Sequence, residues 1–149
     1  MSYLPKKLDY KKIILNTKDA DVINADKTEF TFNKLKPINV KNISYLKFDM
    51  LSGYVIAANI DKLFNIKVDG IDYNKSCYFN SDKNGIPTIA YHSLNGKSST
   101  HLGNVALELV QQDIPNIKLI IKDENGGGLQ ANEDLIVSLS IEEIPEVIV

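Results

Sequence analysis

The residues able to carry chemistry in this chain are few and far apart. Asn80-x-Asp82-x-Asn84-Gly85 matches the opening of a calcium-binding loop, in which oxygen ligands alternate around a tight glycine turn. Such a loop closes on a bidentate glutamate at its last position, where this chain has Tyr91. The flanking residues are strand formers, so the segment reads as an Asn/Asp/Gly turn. His92 and His101 are the two histidines, with no carboxylate nearby at metal-ligand spacing. A cupin-type centre needs more histidines and a glutamate on facing strands, and both residues read as surface or rim positions. Ser93, Ser98 and Ser99 fall in a polar stretch without a Gly-x-Ser-x-Gly elbow. Cys77, the single cysteine, reads as a small apolar side chain. Gly126-Gly127-Gly128 lacks the lysine and following helix of a phosphate loop. Asp123-Glu124-Asn125 beside it has oxygens enough for a cation, but turn chemistry explains the same residues. Asp61, Asp69, Asp72, Glu142 and Glu143 read as solvated charges rather than the paired carboxylates of a glycosidase. Seven tyrosines without a tryptophan make a poor platform for stacking sugars. The residues therefore predict no catalytic group, no cofactor and no metal.

The elements that would position any site are strands. Ile117–Lys122 and Leu135–Ile141 flank a glycine-rich turn with hairpin chemistry, since glycine reaches φ > 0 at little steric cost. In the second run Leu135, Val137, Leu139 and Ile141 share a face opposite Ser138 and Ser140, the period of a half-buried strand. Ile13-Ile14-Leu15 opens the first strand and residues 16–21 close it with turn formers. Glu29–Phe32 follows, and Lys36-Pro37 interrupts the ladder. Residues 38–50 read as one long strand, and Tyr54–Ala57 as another. Residues 59–64 suit a single helical turn. Ile66–Tyr73 reads as a hairpin with Asp69-Gly70 at its tip. Thr88–Tyr91 is a further strand, Leu94–Gly103 a polar loop, and Val105–Val110 a strand by its place between strands. About eight to ten short strands at such spacing predict a sandwich or barrel rather than βαβ units.

At 149 residues the chain makes one domain. Residues 1–10 read as an N-terminal arm, and residues 11–149 as a single domain ending in a short apolar tail. The tail, Ile144-Pro145-Glu146-Val147-Ile148-Val149, suits docking on its own sheet or on a neighbour. The net charge of −2 provides no field to draw in nucleic acid. Every basic residue is lysine, so the planar forks that read guanine edges are absent, and sequence-specific nucleic-acid binding is not expected. One cysteine permits no intrachain disulfide. Met1–Lys7 has no apolar stretch behind its charges, and no run approaches the length of a membrane span. A soluble product of a cytoplasm, not secreted, is expected.

The order of elements carries a resemblance. Tyr10–Asn16 leads to Phe30-Thr31-Phe32, then Lys36–Val40 and the strand from Ile43 to Met50; Ile117–Gly126 and Leu135–Ile144 close the chain. This resembles the single jelly-roll structural proteins of virions, the minor capsid and penton (vertex) proteins of large double-stranded DNA viruses and virophages. The resemblance implies an all-β single jelly-roll sandwich of about eight antiparallel strands in two sheets. It implies a virion structural protein without catalysis, made in the host cytoplasm, whose partners are other copies of itself, with a pentamer suited to a vertex, and neighbouring capsid proteins. Tyr3, Leu4 and Pro5 of the arm, with Ile144, Val147 and Ile148 of the tail, become the expected assembly contacts. The alternative is a β-sandwich binding module: an adhesin head, or a carbohydrate- or protein-recognition domain.

Overall fold

Alternation of apolar and polar residues, unbroken by any helical stripe, resolves into eleven strands in the computed structural model, which describes residues 9–59, 62–74, 85–93 and 106–144. In chain order they are β1 (Asp9–Asn16), β2 (Val22–Ile23), β3 (Glu29–Phe32), β4 (Ile38–Val40), β5 (Ser44–Tyr54) and β6 (Leu63–Asp69). β7 (Thr88–Ser93), β8 (Leu107–Leu109), β9 (Gln112–Ile114), β10 (Ile117–Lys122) and β11 (Asp134–Glu143) complete them. Helix among the described residues amounts to two 3₁₀ turns, Thr17–Asp19 and Ala57–Asn59. The fold is all-β and antiparallel.

The strands form a four-stranded sheet ordered β1-β11-β5-β8 and a five-stranded sheet ordered β2-β3-β10-β6-β7, with β4 and β9 paired beside them. Their pairing is nested. β1 pairs with β11, β3 with β10, β5 with β8, and β6 with β7. The chain thus behaves as one long folded ribbon whose successive pairs fall alternately in the two sheets. Winding the ribbon in this way turns one face of every pair toward the same interior. Leu15, Leu46, Leu107, Leu135 and Leu139 from one sheet and Phe64, Ile66, Leu119 and Ile121 from the other are fully buried there. Each such side chain contributes about 1.5–3 kcal/mol relative to exposure.

β5 shows how the alternation is adjusted. Its inward residues are Ser44, Leu46 and Phe48, and then Leu51, a step of three. Between the Phe48–Leu139 and Met50–Ser138 pairs Asp49 is the extra residue of a bulge. The bulge lets Phe48 and Leu51 both face the core, and it places the Asp49 carboxylate over the outer face.

Several expectations are corrected. Ile117–Lys122 and Leu135–Ile141 are not the arms of one hairpin; β10 and β11 lie in opposite sheets, and the turn between them crosses the sandwich. Of the three turn glycines only Gly126 has positive φ, at 81°. Gly128 is needed for closeness: a Cβ there would lie 2.0 Å from the Asp26 carbonyl oxygen. The stretch 38–50 is broken after Val40, because β4 pairs with β9 while β5 joins the other sheet. β5 continues through Tyr54, and the helical turn comes at Ala57–Asn59, earlier than residues 59–64. Asp69-Gly70 is no hairpin tip, since β6 pairs with β7 and β10. Gly70, at φ 92°, instead bends the chain away, and Tyr73 bridges to Leu109 on the opposite sheet's edge. β1 begins at Asp9, inside the expected arm. The proposed strand at Val105–Val110 is present as Leu107–Leu109. The loop at 94–103 lies outside the described residues.

Candidate functional site

Among the described residues, His92, Asp123 and Glu133 are absorbed into the framework. His92 is 6% exposed, not a rim residue. It stands opposite Phe64 on β6, and its ring centroid lies 5.5 Å from that of Phe48, a contact between the two sheets. Its Nδ1 is 3.0 Å from the Ser93 carbonyl oxygen. The strand continues two residues past Tyr91, to Ser93, and its alternation carries His92 inward beside Ala90. His101, Cys77, Ser98, Ser99, Asp61 and residues 80–84 of the Asn/Asp loop lie outside the described residues.

Of the acids read as solvated charges, Asp69, Glu142 and Glu143 have partners for their carboxylates and Asp72 is held through its backbone. Asp69 accepts the Gly70 N–H at 2.8 Å. Glu142 pairs with Lys47 at 2.7 Å, and Glu143 accepts from the Asn42 side-chain amide. Across the chain crossing, the Asp72 N–H donates to Gln112 Oε1 and Gln112 Nε2 donates back to the Asp72 carbonyl, both at 2.7 Å. Among the described residues no group of three His, Cys, Asp or Glu could hold a metal ion.

Two acids do more. Asp123, its side chain 7% exposed, organises the turn after β10. Its Oδ1 accepts the N–H groups of Asn125 at 2.9 Å and Gly127 at 2.8 Å, and Lys62 Nζ reaches Oδ2 at 3.3 Å. Burial pushes this carboxyl up, but the Gly127 and Asn125 amides and the Lys62 ammonium outweigh it and hold the group below the usual aspartate value. The Asp123 oxygens are therefore already engaged. Glu133 is 4% exposed, and sequence reasoning passed over it. Its Oε2 accepts from the Ile56 N–H and Asn59 Nδ2, both at 2.9 Å, and its Oε1 from the Gln130 N–H at 2.7 Å. In sequence Ala131-Asn132-Glu133-Asp134 resembles any polar loop, and nothing local marks the glutamate as a clamp.

What remains available is surface. On the outer face of the four-stranded sheet, register sets Lys12, Ser140 and Lys47 in one row and Ile14, Ser138 and Met50 in the next. The first row is neutralised: Asp49 takes Lys12 at 2.9 Å and the Ser140 hydroxyl at 3.1 Å. These side chains cover β11, which is why Ser138 and Ser140 are buried although they point outward. Beyond that row three apolar side chains stand open, Ile14 63%, Met50 54% and Tyr54 61% exposed, with Ser138, Asn16 and Ser52 in the rows between them.

At the edge of β1, which among the described strands pairs with β11 alone, this patch meets a groove of about 540 Å³, walled by Ile13, Ile14, Leu35, Pro37 and Ile38. Lys11, Lys12 and Lys36 stand on its rim. It continues past Ile14 and Leu35 into a depression where Lys34 faces Asp21 at 3.7 Å. The five-stranded sheet carries a different outer face, a cavity of about 460 Å³ lined by Glu29, Asn65, Lys67, Asp69, Lys118 and Lys122, among others. Lys118 and Glu29 pair across it at 3.3 Å.

Of the expected assembly contacts, Ile144 is exposed and gives its N–H to the Ile43 carbonyl at 2.8 Å. Tyr3, Leu4, Pro5, Val147 and Ile148 lie outside the described residues. No protein family, no curated protein and no solved structure matches this chain. Among the described residues no helix is long and apolar enough to cross a membrane.

Proposed function

We infer that this chain is a virion structural protein, a minor capsid or penton subunit that assembles through its surfaces with copies of itself and with neighbouring capsid proteins. The observation that carries the reading is the nested pairing of first strand with last and inward to β6 with β7, wound between two sheets. That order suits a single jelly roll, in which two Greek keys share one core. The exposed Ile14, Met50 and Tyr54 add a face suited to a protein partner. Its place would be the virion, after synthesis in the host cytoplasm.

Light scattering of the purified protein across concentration, with negative-stain imaging of the same sample, tests the reading. A closed ring, above all a pentamer, is the expected result. A monomer at every concentration tells against self-assembly and favours the second reading, a β-sandwich binding module. The cavity between Glu29, Lys67 and Lys118 favours that second reading, being within the size range of small-ligand clefts, about 300–1,000 Å³. Saturable glycan binding lost in Lys67→Ala would establish it.

A further inference from the structure

β1 is the longest strand at a sheet edge among the described residues: eight residues, against six in β7, three in β8 and two in β2. Alternate backbone groups of an edge strand turn away from its one partner, and a long edge of this kind is a template for another strand. Beside β1 the apolar wall for such a strand is already built, with lysines on its rim. An extended apolar segment carrying an acid fits that groove.

Building on the assembly reading, we propose that the groove receives residues 145–149 of a second copy, which extend the four-stranded sheet beyond β1. In Pro145-Glu146-Val147-Ile148-Val149 the alternation puts Glu146 and Ile148 on one face and Val147 and Val149 on the other. Laid parallel to β1, the segment sets Glu146 beside Lys12, whose ammonium it would share with Asp49, Val147 beside Ile13, and Ile148 beside the exposed Ile14. Pro145 comes at the start, where a missing N–H is tolerated. Residues 1–8 fit less well. Lys6 and Lys7 would add like charges to a rim that already carries Lys11, Lys12 and Lys36.

Reach decides whose groove is filled. Ile144 is bonded to Ile43, on the β5 side of β11, whereas the groove lies beyond β1 on the other side. The added strand would sit about 10 Å from β11, two strand spacings away. It would also run from the Asp9 end toward Asn16, back against the direction in which β11 leaves the sheet. Five residues span at most about 18 Å. Reversing and crossing consume that length before Val147 and Ile148 could lie along Ile13 and Ile14. A neighbour's segment has no such constraint. Each copy offers one groove and one segment, a heterologous contact that a ring can close.

Two full-length variants test the contact: Val147→Asp with Ile148→Asp, which disables the segment, and Ile14→Lys, which blocks the groove at an exposed position. Each alone is expected to be monomeric by light scattering where the wild-type chain oligomerises. An equimolar mixture should give a discrete two-chain complex, since one intact groove and one intact segment remain. A peptide of residues 144–149 should bind the segment-disabled chain saturably and lose about tenfold in affinity when Ile14→Lys is added. An oligomer that persists in both variants overturns the groove assignment and leaves the assembly reading standing. So does a mixture that fails to associate while the wild-type chain oligomerises. A monomeric wild-type chain overturns the assembly reading and the contact between copies together.

Discussion

Glu133 and Asp123 are where single side chains hold this fold. Each carboxylate gathers donors from segments that are distant in sequence or would otherwise splay. Glu133→Ala leaves the buried Asn59 side chain and the part-buried Ile56 and Gln130 amides without their acceptor. Orphaning buried donors costs about 1–3 kcal/mol, so a loss of about 3 kcal/mol is expected in urea unfolding, with Glu133→Gln losing less. Asp123 gives a pH signature. Its folded-state pKa is depressed, so its contribution is fully present above the unfolded aspartate value and disappears as pH falls through the folded one. The stability gap between wild type and Asp123→Asn should be flat above about pH 5 and shrink below about pH 4. Unfolding melts across that range measure it, and a gap that stays constant to pH 2 would contradict the assignment. Asp123 read correctly as a turn residue because Asx chemistry is local; Glu133 did not, because its partners at 56 and 59 arrive from another part of the chain.

Strand and turn elements were readable wherever the cause is local. The alternation of Leu135 to Ile141 and the turn formers after Ile13-Ile14-Leu15 correspond to β11 and the end of β1. The errors cluster where an element's partner decides its length. Residues 38–50 alternate as one strand, yet the two halves serve different sheets. Gly53 illustrates a requirement invisible in sequence. It sits near the end of β5 at φ 124°, and a Cβ would fall 2.2 Å from the Asp134 carbonyl oxygen on β11. Gly53→Ala is expected to destabilise by about 3 kcal/mol through backbone strain and a separated ladder. Chemical denaturation checks the figure. Loss of hydrogen-exchange protection should begin at the Tyr54–Asp134 end of the sheet.

For the whole molecule, the buried polar side chains among the described residues are engaged with the framework, and three large apolar side chains stand open on one outer face. The patch at Met50 and Tyr54 should separate folding from association. Exposed substitutions away from special features change stability within about 0.5 kcal/mol. Met50→Lys with Tyr54→Lys should therefore leave the thermal midpoint near that of wild type while weakening self-association in sedimentation. Unchanged association would assign this face to a partner other than the chain itself or to none. The assembly contacts that the resemblance implied lay in the termini. The face between β1, β11 and β5 was not foreseen, because Ile14, Met50 and Tyr54 meet only through register between distant strands.

By itself the sequence determined the class of element and the places where it must turn. Side-chain period and turn sterics act between near neighbours, so they are written locally. Tertiary structure alone decided which strands pair, that β10 and β11 part into different sheets, and that His92, Ser138 and Glu133 are buried. The physical reason is that a strand's backbone donors and acceptors are the same whatever its partner. Selection among partners comes from the shared core, which exists only once the whole ribbon has wound upon itself.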